Sequence, residues 1–142
     1  MPAKMIVGLV EKVKLIGGKR SVKTLAKLDT GAKWSSIDRK LAKMIGAKTV
    51  KIKKVKSSLG KQKRALVEFT IVIHNRKMKI KATVADRSKM AYLVLLGRNV
   101  MFKNFVVDIE RSHLSTKEKD VKSFLKNDLK KVERLKKILY GG

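Results

Sequence analysis

The stretch 65–86, ALVEFTIVIHNRKMKIKATVAD, constrains the fold more than any other, because side chains alternate in character along two long runs. Alternation with a period of two separates the two faces of a β-strand, and the Asn75-Arg76 pair interrupts the pattern as a turn does. The sequence therefore predicts a hairpin with one buried face and one cationic face, within a protein that is mainly β. The buried face carries Val67, Phe69, Ile71, Ile73, Met78, Ile80, Ala82 and Val84, and the cationic face carries Lys77, Lys79 and Lys81.

A second hairpin is predicted over residues 5–28. In VEKVKLI apolar residues alternate with lysines, and the Gly17-Gly18 pair supplies a tight reversal before the next apolar run. That run leads directly into Asp-Thr-Gly at 29–31.

A short helix is predicted after this turn. Ser35 or Ser36 is available as its N-cap and Gly46 as its stop. The apolar positions at helical spacing are Ile37, Leu41, Met44 and Ile45.

The most basic stretch is 48–64, which we call the lysine lobe. The sequence SSLG interrupts it, so we expect an exposed two-stranded flap. Its eight cations, with no acid among them, are Lys48, Lys51, Lys53, Lys54, Lys56, Lys61, Lys63 and Arg64.

The last third predicts a strand, a Gly-Arg turn, a short helix over 99–103 and a final strand through Val107. We expect one domain over 1–113 and a basic amphipathic helix of about six turns over 114–142. Ser115 and Glu118 form a capping box at its start. Its apolar stripe comprises Val121, Leu125, Leu129 or Asp128, Val132, Leu135 and Leu139.

The charge limits the classes of function. The chain has 37 Lys and Arg against 11 Asp and Glu, a formal net charge of +26. These cations cannot all be paired internally, and a field of this size attracts polyanions. A solvated basic face is the alternative, but nucleic acid is the partner that the charge favours.

Cofactors and membranes are not predicted. There are no cysteines, which excludes disulfides and thiolate metal sites. His74 and His113 are far apart in sequence, and neither Gly18-Lys19 nor Gly60-Lys61 belongs to a P-loop. No apolar run reaches the roughly 20 residues of a membrane span or resembles a signal peptide, so we expect a cytoplasmic protein without a metal or cofactor.

Four motifs in order carry a family resemblance: DTGA at 29–32, DRS at 86–88, LLGR at 95–98 and VVD at 106–108. Together they resemble the retropepsin-like proteins, the single-lobe aspartic proteases of retroviruses. The cellular branch, whose members are commonly labelled ATP-dependent zinc proteases, is the more similar one. The resemblance spans residues 5–112 and implies a small closed acid-protease barrel.

The resemblance also implies a site. Asp29 would be the catalytic carboxylate, Thr30 would brace the turn across a two-fold axis, and Gly31 would allow close backbone approach. The supporting turn would be Leu96, Gly97 and Arg98, and the stretch 57–60 would be a flap. Two chains would have to meet, because each supplies one carboxylate. An Asx turn at a strand end is the alternative explanation of Asp29.

Three features distinguish the chain from a retroviral protease. It ends in a long basic helix rather than a short strand, and a dimer would bring two charges of +26 together. Lys33 and Trp34 stand where retroviral enzymes place an acid after DTGA.

The leading interpretation from sequence is an RNA-binding, ribosome-associated protein on a retropepsin-like scaffold, with ribosomal RNA and ribosomal proteins as partners. Lysine suits contact with phosphates rather than base readout. The expected contacts are the eight cations of the lysine lobe, Lys77, Lys79 and Lys81, and, on the C-terminal helix, Lys117, Lys122, Lys126, Lys130, Lys131, Arg134, Lys136 and Lys137.

Two alternatives stay open. One is a homodimeric aspartic endopeptidase that uses Asp29 on acidic or ribosome-linked peptides. The other is a scaffold that keeps the motif for turn geometry and binds only proteins, which leaves the charge unexplained.

Overall fold

The computed structural model describes residues 3–58, 60–110 and 118–141. The nine strands in this part of the chain are β1 (Met5–Val7), β2 (Val10–Ile16), β3 (Ser21–Leu28), β4 (Ser35–Asp38), β5 (Lys48–Ser57), β6 (Gly60–Ile73), β7 (Arg76–Ala85), β8 (Val94–Leu96) and β9 (Phe105–Val107). The helices described are α1 (Arg39–Ile45), α2 (Arg98–Met101) and α3 (Glu118–Tyr140).

The main sheet closes into a barrel. Its strand order is β2-β3-β8-β4-β7-β6-β5, and β2 also pairs with β6, so six strands form a ring and β5 extends from β6 outside it. Strands β1 and β9 form a separate parallel pair. This arrangement confirms the prediction of a mainly β, closed retropepsin-like barrel with a long C-terminal helix.

The hairpin that dominates the sequence is β6–β7. Ile73 pairs with Arg76 at its turn. Phe69, Ile71 and Ile73 are buried in the core, while Lys77, Lys79 and Lys81 are exposed. Alternation therefore predicted both faces correctly, because burial of one face fixes the register of a strand.

The β2–β3 hairpin is also confirmed. At its turn, a Cβ on Gly17 would lie 2.1 Å from the carbonyl oxygen of Ile45. The glycine is therefore required for close packing against the end of α1.

The start of the short helix was predicted incorrectly. Ser35 and Ser36 belong to β4, which pairs with β7 and β8. The N-cap is Asp38, whose Oδ2 accepts hydrogen bonds from the amides of Lys40 and Leu41. Gly46 ends the helix in the left-handed conformation, as expected.

Helix α3 packs on β3 and α1. Val132 is 2% exposed, whereas Leu129 is 38% exposed. The sequence left Leu129 or Asp128 as alternatives for the apolar stripe. Asp128 is the one that faces the barrel, and its Oδ2 lies 3.3 Å from Nζ of Lys12.

Some expectations for the terminal helix lie outside the described residues: the 113/114 boundary, the Ser115 cap, and the side chains of Val121 and Leu125. None of the helices described is long and apolar enough to cross a membrane.

Candidate active site

The site lies where β3 and β8 end. Strand β8 pairs in parallel with β3, with Leu28 opposite Leu96, and antiparallel with β4 on its other side. Parallel neighbours end at the same edge of a sheet. The topology therefore places the Asp-Thr-Gly turn beside the turn at 97–98, although nearly 70 residues separate them in sequence.

Asp29 is held by its own turn and by β8. Its amide donates to the carbonyl of Leu96 at 2.8 Å, and its carbonyl accepts from the amide of Ala32 at 3.2 Å. The carboxylate Oδ1 accepts the amide of Gly31 at 2.9 Å. Within the described chain, no lysine, arginine or histidine forms an ion pair with Asp29. The turn thus presents a fixed, partly exposed carboxylate.

The second turn contacts the first through backbone atoms. A Cβ on Gly97 would lie 2.6 Å from the carbonyl oxygen of Trp34 and 2.8 Å from that of Ala32. The amide of Arg98 donates to the carbonyl of Ala32 at 2.8 Å, and its guanidinium donates to the carbonyl of Thr30 at 3.1 Å. The structure thus brings together both groups of residues that the family resemblance named.

Ser35 and Asn99 brace these turns and were missed from sequence. The hydroxyl oxygen of Ser35 accepts the amide of Gly97 at 3.0 Å. The Ser35 hydroxyl and amide both donate to Asn99 Oδ1 at 2.8 Å. Asn99 in turn donates to the carbonyl of Lys81 at 2.8 Å. These short polar side chains gave no periodic signal in the sequence.

Asp38 is a second, deeply buried carboxylate. Its Oδ1 accepts the amide of Arg87 at 2.8 Å and the phenol of Tyr140 at 2.6 Å. Burial lowers the pKa of Arg87, while the charges of Asp38 and Asp29 act in the opposite direction. Asp38 therefore joins α1, the DRS motif and the end of α3.

The DRS motif has a structural explanation. The Asp86 carboxylate accepts the Ser88 hydroxyl at 2.6 Å and the Ser88 amide at 2.9 Å, and these bonds lower the pKa of Asp86. Arg87 donates to the carbonyl of Tyr92 at 3.0 Å. The motif thus builds the loop between β7 and β8.

The lysine lobe contacts the turn that carries Asp29. The Lys53 ammonium lies 3.5 Å from the centre of the Trp34 ring. Loss of hydration lowers the pKa of Lys53 most, and the like charges of Lys51 and Lys33 lower it further. The lobe forms the predicted two-stranded hairpin, β5–β6, but whether its tip acts as a flap stays a prediction.

The predicted RNA contacts lie on three parts of the fold: the lysine lobe, the neighbouring strand β7 and helix α3. Six lysines of the lobe, and Lys77, Lys79 and Lys81, are exposed, while Lys53 and Arg64 are partly buried. On α3, Lys136 is held by the carbonyl of Met90 and by Glu133 at 3.3 Å. Lys117 and the side chain of Lys122 lie outside the described residues. Among the side chains of α3 that the structure describes, the exposed cations are Lys126, Lys130, Lys131, Arg134 and Lys137.

The described residues contain no group of three or more His, Asp or Glu side chains that could hold a metal ion. His74 instead lies 3.3 Å from the buried Glu11. His113 lies outside the described residues.

A closed barrel with an Asp-Thr-Gly turn braced by a glycine turn defines the retropepsin-like class. The family model for RimB-like proteins, described as retropepsin-like aspartic endopeptidase RimB, matches residues 38–118. This is more than half of the chain, so the protein belongs to the RimB-like family. The resemblance in the sequence is thereby confirmed, although the matched region begins after the Asp29 turn. No curated protein matches the chain.

Solved structures resemble the fold. A Legionella pneumophila protein of unknown function (DUF785) is 24% identical, with a TM-score of 0.55 over 82% of this chain and 100% of that one. Simian foamy virus (mac) protease is 16% identical, with a TM-score of 0.49 over 64% of this chain and 90% of its own. EIAV protease complexed with the inhibitor HBY-793 is 19% identical, with a TM-score of 0.47 over 65% of this chain and 83% of its own.

Proposed function

We propose that the protein is a homodimeric aspartic endopeptidase whose site contains one Asp29 from each of two chains. The observation that carries this proposal is the Asp29 turn at one edge of the barrel. The Gly31 amide holds its partly exposed carboxylate, and Leu96 and Arg98 hold its backbone. The membership of a family described as aspartic endopeptidases supports it.

The chemistry follows from two carboxyl groups at close range. Two like charges in one site favour a state in which the pair shares a single proton. The ionised Asp29 of one chain takes a proton from a water molecule as the water oxygen attacks the peptide carbonyl carbon. The protonated Asp29 of the other chain donates its proton to the carbonyl oxygen. Proton transfer to the amide nitrogen then lets the C–N bond break. Thr30, exposed beside Asp29, would brace the Asp-Thr-Gly turn against that of the other chain across the axis.

Exposed apolar side chains on β1, on β9 and after α2 support a dimer. Ile6 and Val106 are paired in the β1–β9 sheet, and each is 50% exposed. Phe102 is 72% exposed and lines a cavity of about 270 Å³ with Thr30 and Arg98. Exposed apolar groups in so highly charged a chain are typical of an interaction site.

The charge of the chain favours an acidic substrate. Two copies of a chain with a net charge of +26 repel each other, and an acidic peptide between them would offset that repulsion. We therefore propose peptides rich in Glu or Asp, including acidic segments of ribosome-linked proteins, as the substrate class.

The test is cleavage of a library of acidic and neutral peptides by the wild type and by Asp29→Asn. The wild type should cleave acidic members, and the variant should lose at least about a thousandfold in kcat while keeping its fold by circular dichroism. Equal cleavage by both proteins would overturn the proposal.

RNA binding in the cytoplasm, at the ribosome, is a second candidate function, and the exposed lysines of the lobe, β7 and α3 favour it. Lysine contacts to phosphates make the logarithm of affinity fall linearly with the logarithm of salt concentration. Changing Lys51, Lys54 and Lys56 to glutamine should flatten that slope for ribosomal RNA. Changing the exposed Lys23, Lys27 and Lys43, which lie outside the predicted contacts, to glutamine should flatten the slope less. A slope near zero in the wild type would exclude this candidate.

A further inference from the structure

We propose that the lysine cluster around Trp34, comprising Lys33, Trp34, Lys51 and Lys53, is a subsite for a carboxylate side chain of the substrate beside the scissile bond. This inference rests on the proposed function of the Asp29 turn, and it names the group that selects acidic peptides.

The backbone of Trp34 is held in the same segment of the chain as Asp29. Both residues belong to the segment between β3 and β4, and the Trp34 carbonyl packs against Gly97, where a Cβ would lie only 2.6 Å away. Strand β5 brings Lys53 to the ring from outside the barrel, 3.5 Å from the ring centre. The cluster therefore joins the lobe to the segment that begins with the catalytic carboxylate.

The cluster concentrates positive charge without an internal counterion. In the part of the chain that the structure describes, neither Lys33, Lys51 nor Lys53 forms an ion pair with an acid. Loss of hydration lowers the pKa of Lys53 most, and the charges of Lys51 and Lys33, which repel the Lys53 ammonium, lower it further. A bound anion would reduce the repulsion between these neighbouring ammonium groups. The cluster is therefore suited to binding an anion and does not stabilise the free protein.

The cation–π contact fixes the position of the Lys53 ammonium over the Trp34 ring. Stacking on the indole orders the Lys53 side chain before any ligand arrives, which lowers the entropy cost of contacting a carboxylate. A guanidinium stacks in the same way, so Arg at position 53 should preserve recognition, whereas Gln should not. The ligand class is thus a Glu or Asp side chain on an extended peptide.

Trp34 is the only tryptophan in the chain, so its fluorescence reports on this cluster. The experiment uses the full chain with Asp29→Asn, which prevents turnover. It is titrated with end-blocked penta-glutamate and, separately, with penta-glutamine. We expect a saturable fluorescence change with the glutamate peptide alone.

Matched variants in the same background locate the binding. Lys53→Gln should weaken penta-glutamate binding about tenfold, the scale of one partly desolvated charge contact, while Lys53→Arg should stay within about threefold. Lys14→Gln removes the same charge from an exposed position on β2 and should change the affinity less than about twofold. Equal weakening by the changes at 14 and 53 would overturn the subsite. So would a fluorescence response to oligouridylate but not to penta-glutamate.

The subsite and the endopeptidase can fail separately. If the wild type binds penta-glutamate as described but cleaves no peptide, the proposed function fails and the carboxylate-binding cluster stands. If the wild type cleaves acidic peptides and Lys53→Gln leaves KM unchanged, the subsite fails and the endopeptidase stands.

Discussion

The phenol of Tyr140 donates a 2.6 Å hydrogen bond to Oδ1 of Asp38, joining the last turn of α3 to the N-cap of α1. Asp38 is fully buried and also accepts the amides of Lys40, Leu41 and Arg87. Buried charge is tolerated when its acceptor positions are filled. The last turn of the terminal helix is therefore held to the start of α1 through a buried carboxylate.

Replacing Tyr140 with phenylalanine should destabilise the fold by about 1–3 kcal/mol, because a hydrogen bond to a charged, buried acceptor is lost while the ring remains. Urea unfolding followed by circular dichroism measures this change. Tyr92→Phe is the matched control, because the Tyr92 hydroxyl has no hydrogen-bond partner among the described residues. Equal effects of the two variants would contradict the role of Asp38.

The buried Glu11 predicts a pH dependence. Burial is the main cause that raises its pKa above the usual 4.5, although the amide of Gly8 and the neighbouring His74 act in the opposite direction. A raised pKa means that the folded state holds its proton more tightly than the unfolded state. The stability contributed by this group is therefore fully present below the ordinary pKa, and it is lost as pH rises through the raised value.

Glu11→Gln removes this titration and keeps an oxygen that can accept the Gly8 amide, bonded to Glu11 at 2.7 Å. The stability of the wild type minus that of the variant should fall as pH rises above the ordinary pKa of 4.5. Urea midpoints at several pH values give this difference. A difference that stays constant or rises with pH would show that the pKa of Glu11 is not raised.

Gly97→Ala tests the packing of the two turns. The new Cβ would lie 2.6 to 2.8 Å from backbone atoms of Trp34 and Ala32, which cannot rotate away. We expect a loss of about 1–3 kcal/mol in stability from the overpacking, and at least about a hundredfold loss of peptidase activity as Asp29 moves. Gly18→Ala, whose Cβ would be no closer than 3.4 Å to its neighbours, should have little effect on either. If both variants behave alike, the contact at Gly97 does not position Asp29.

Phe102→Ala tests the apolar surface beside the site. If this surface forms the dimer, truncating a side chain that is 72% exposed should raise the dimer dissociation constant about tenfold or more. Sedimentation equilibrium at moderate salt measures the constant. Ile138→Ala, at a position 70% exposed on α3, should leave it unchanged. An unchanged constant in Phe102→Ala would place the interface elsewhere.

Sequence alone predicted the elements that depend on alternating or helical periodicity. The hairpins β2–β3 and β6–β7 and the terminal helix follow from burial of one face, which a local pattern encodes. The motifs identified the Asp29 turn and the Leu96–Arg98 turn. Their contact arises from the insertion of β8 between β3 and β4, which no local pattern reveals.

The side chains missed from sequence are short polar groups with distant partners. Ser35 or Ser36 was predicted as a helix cap because serine favours that position, yet the Ser35 hydroxyl contacts Gly97 and Asn99, which follow the neighbouring strand β8. No local pattern in the sequence distinguishes Asp38 from the other acids. Its importance depends on Arg87 and Tyr140, which lie 49 and 102 residues away in sequence.

The central claim is that two Asp29 carboxylates from two chains form one site, and a mixing experiment tests it most directly. Wild type and Asp29→Asn chains are combined in equal amounts, dissociated and allowed to reassociate, and cleavage of an acidic peptide is measured per wild-type chain. A shared site predicts that this activity falls by about half, because dimers with one variant chain are inactive. Activity per wild-type chain that does not change on mixing would contradict the account.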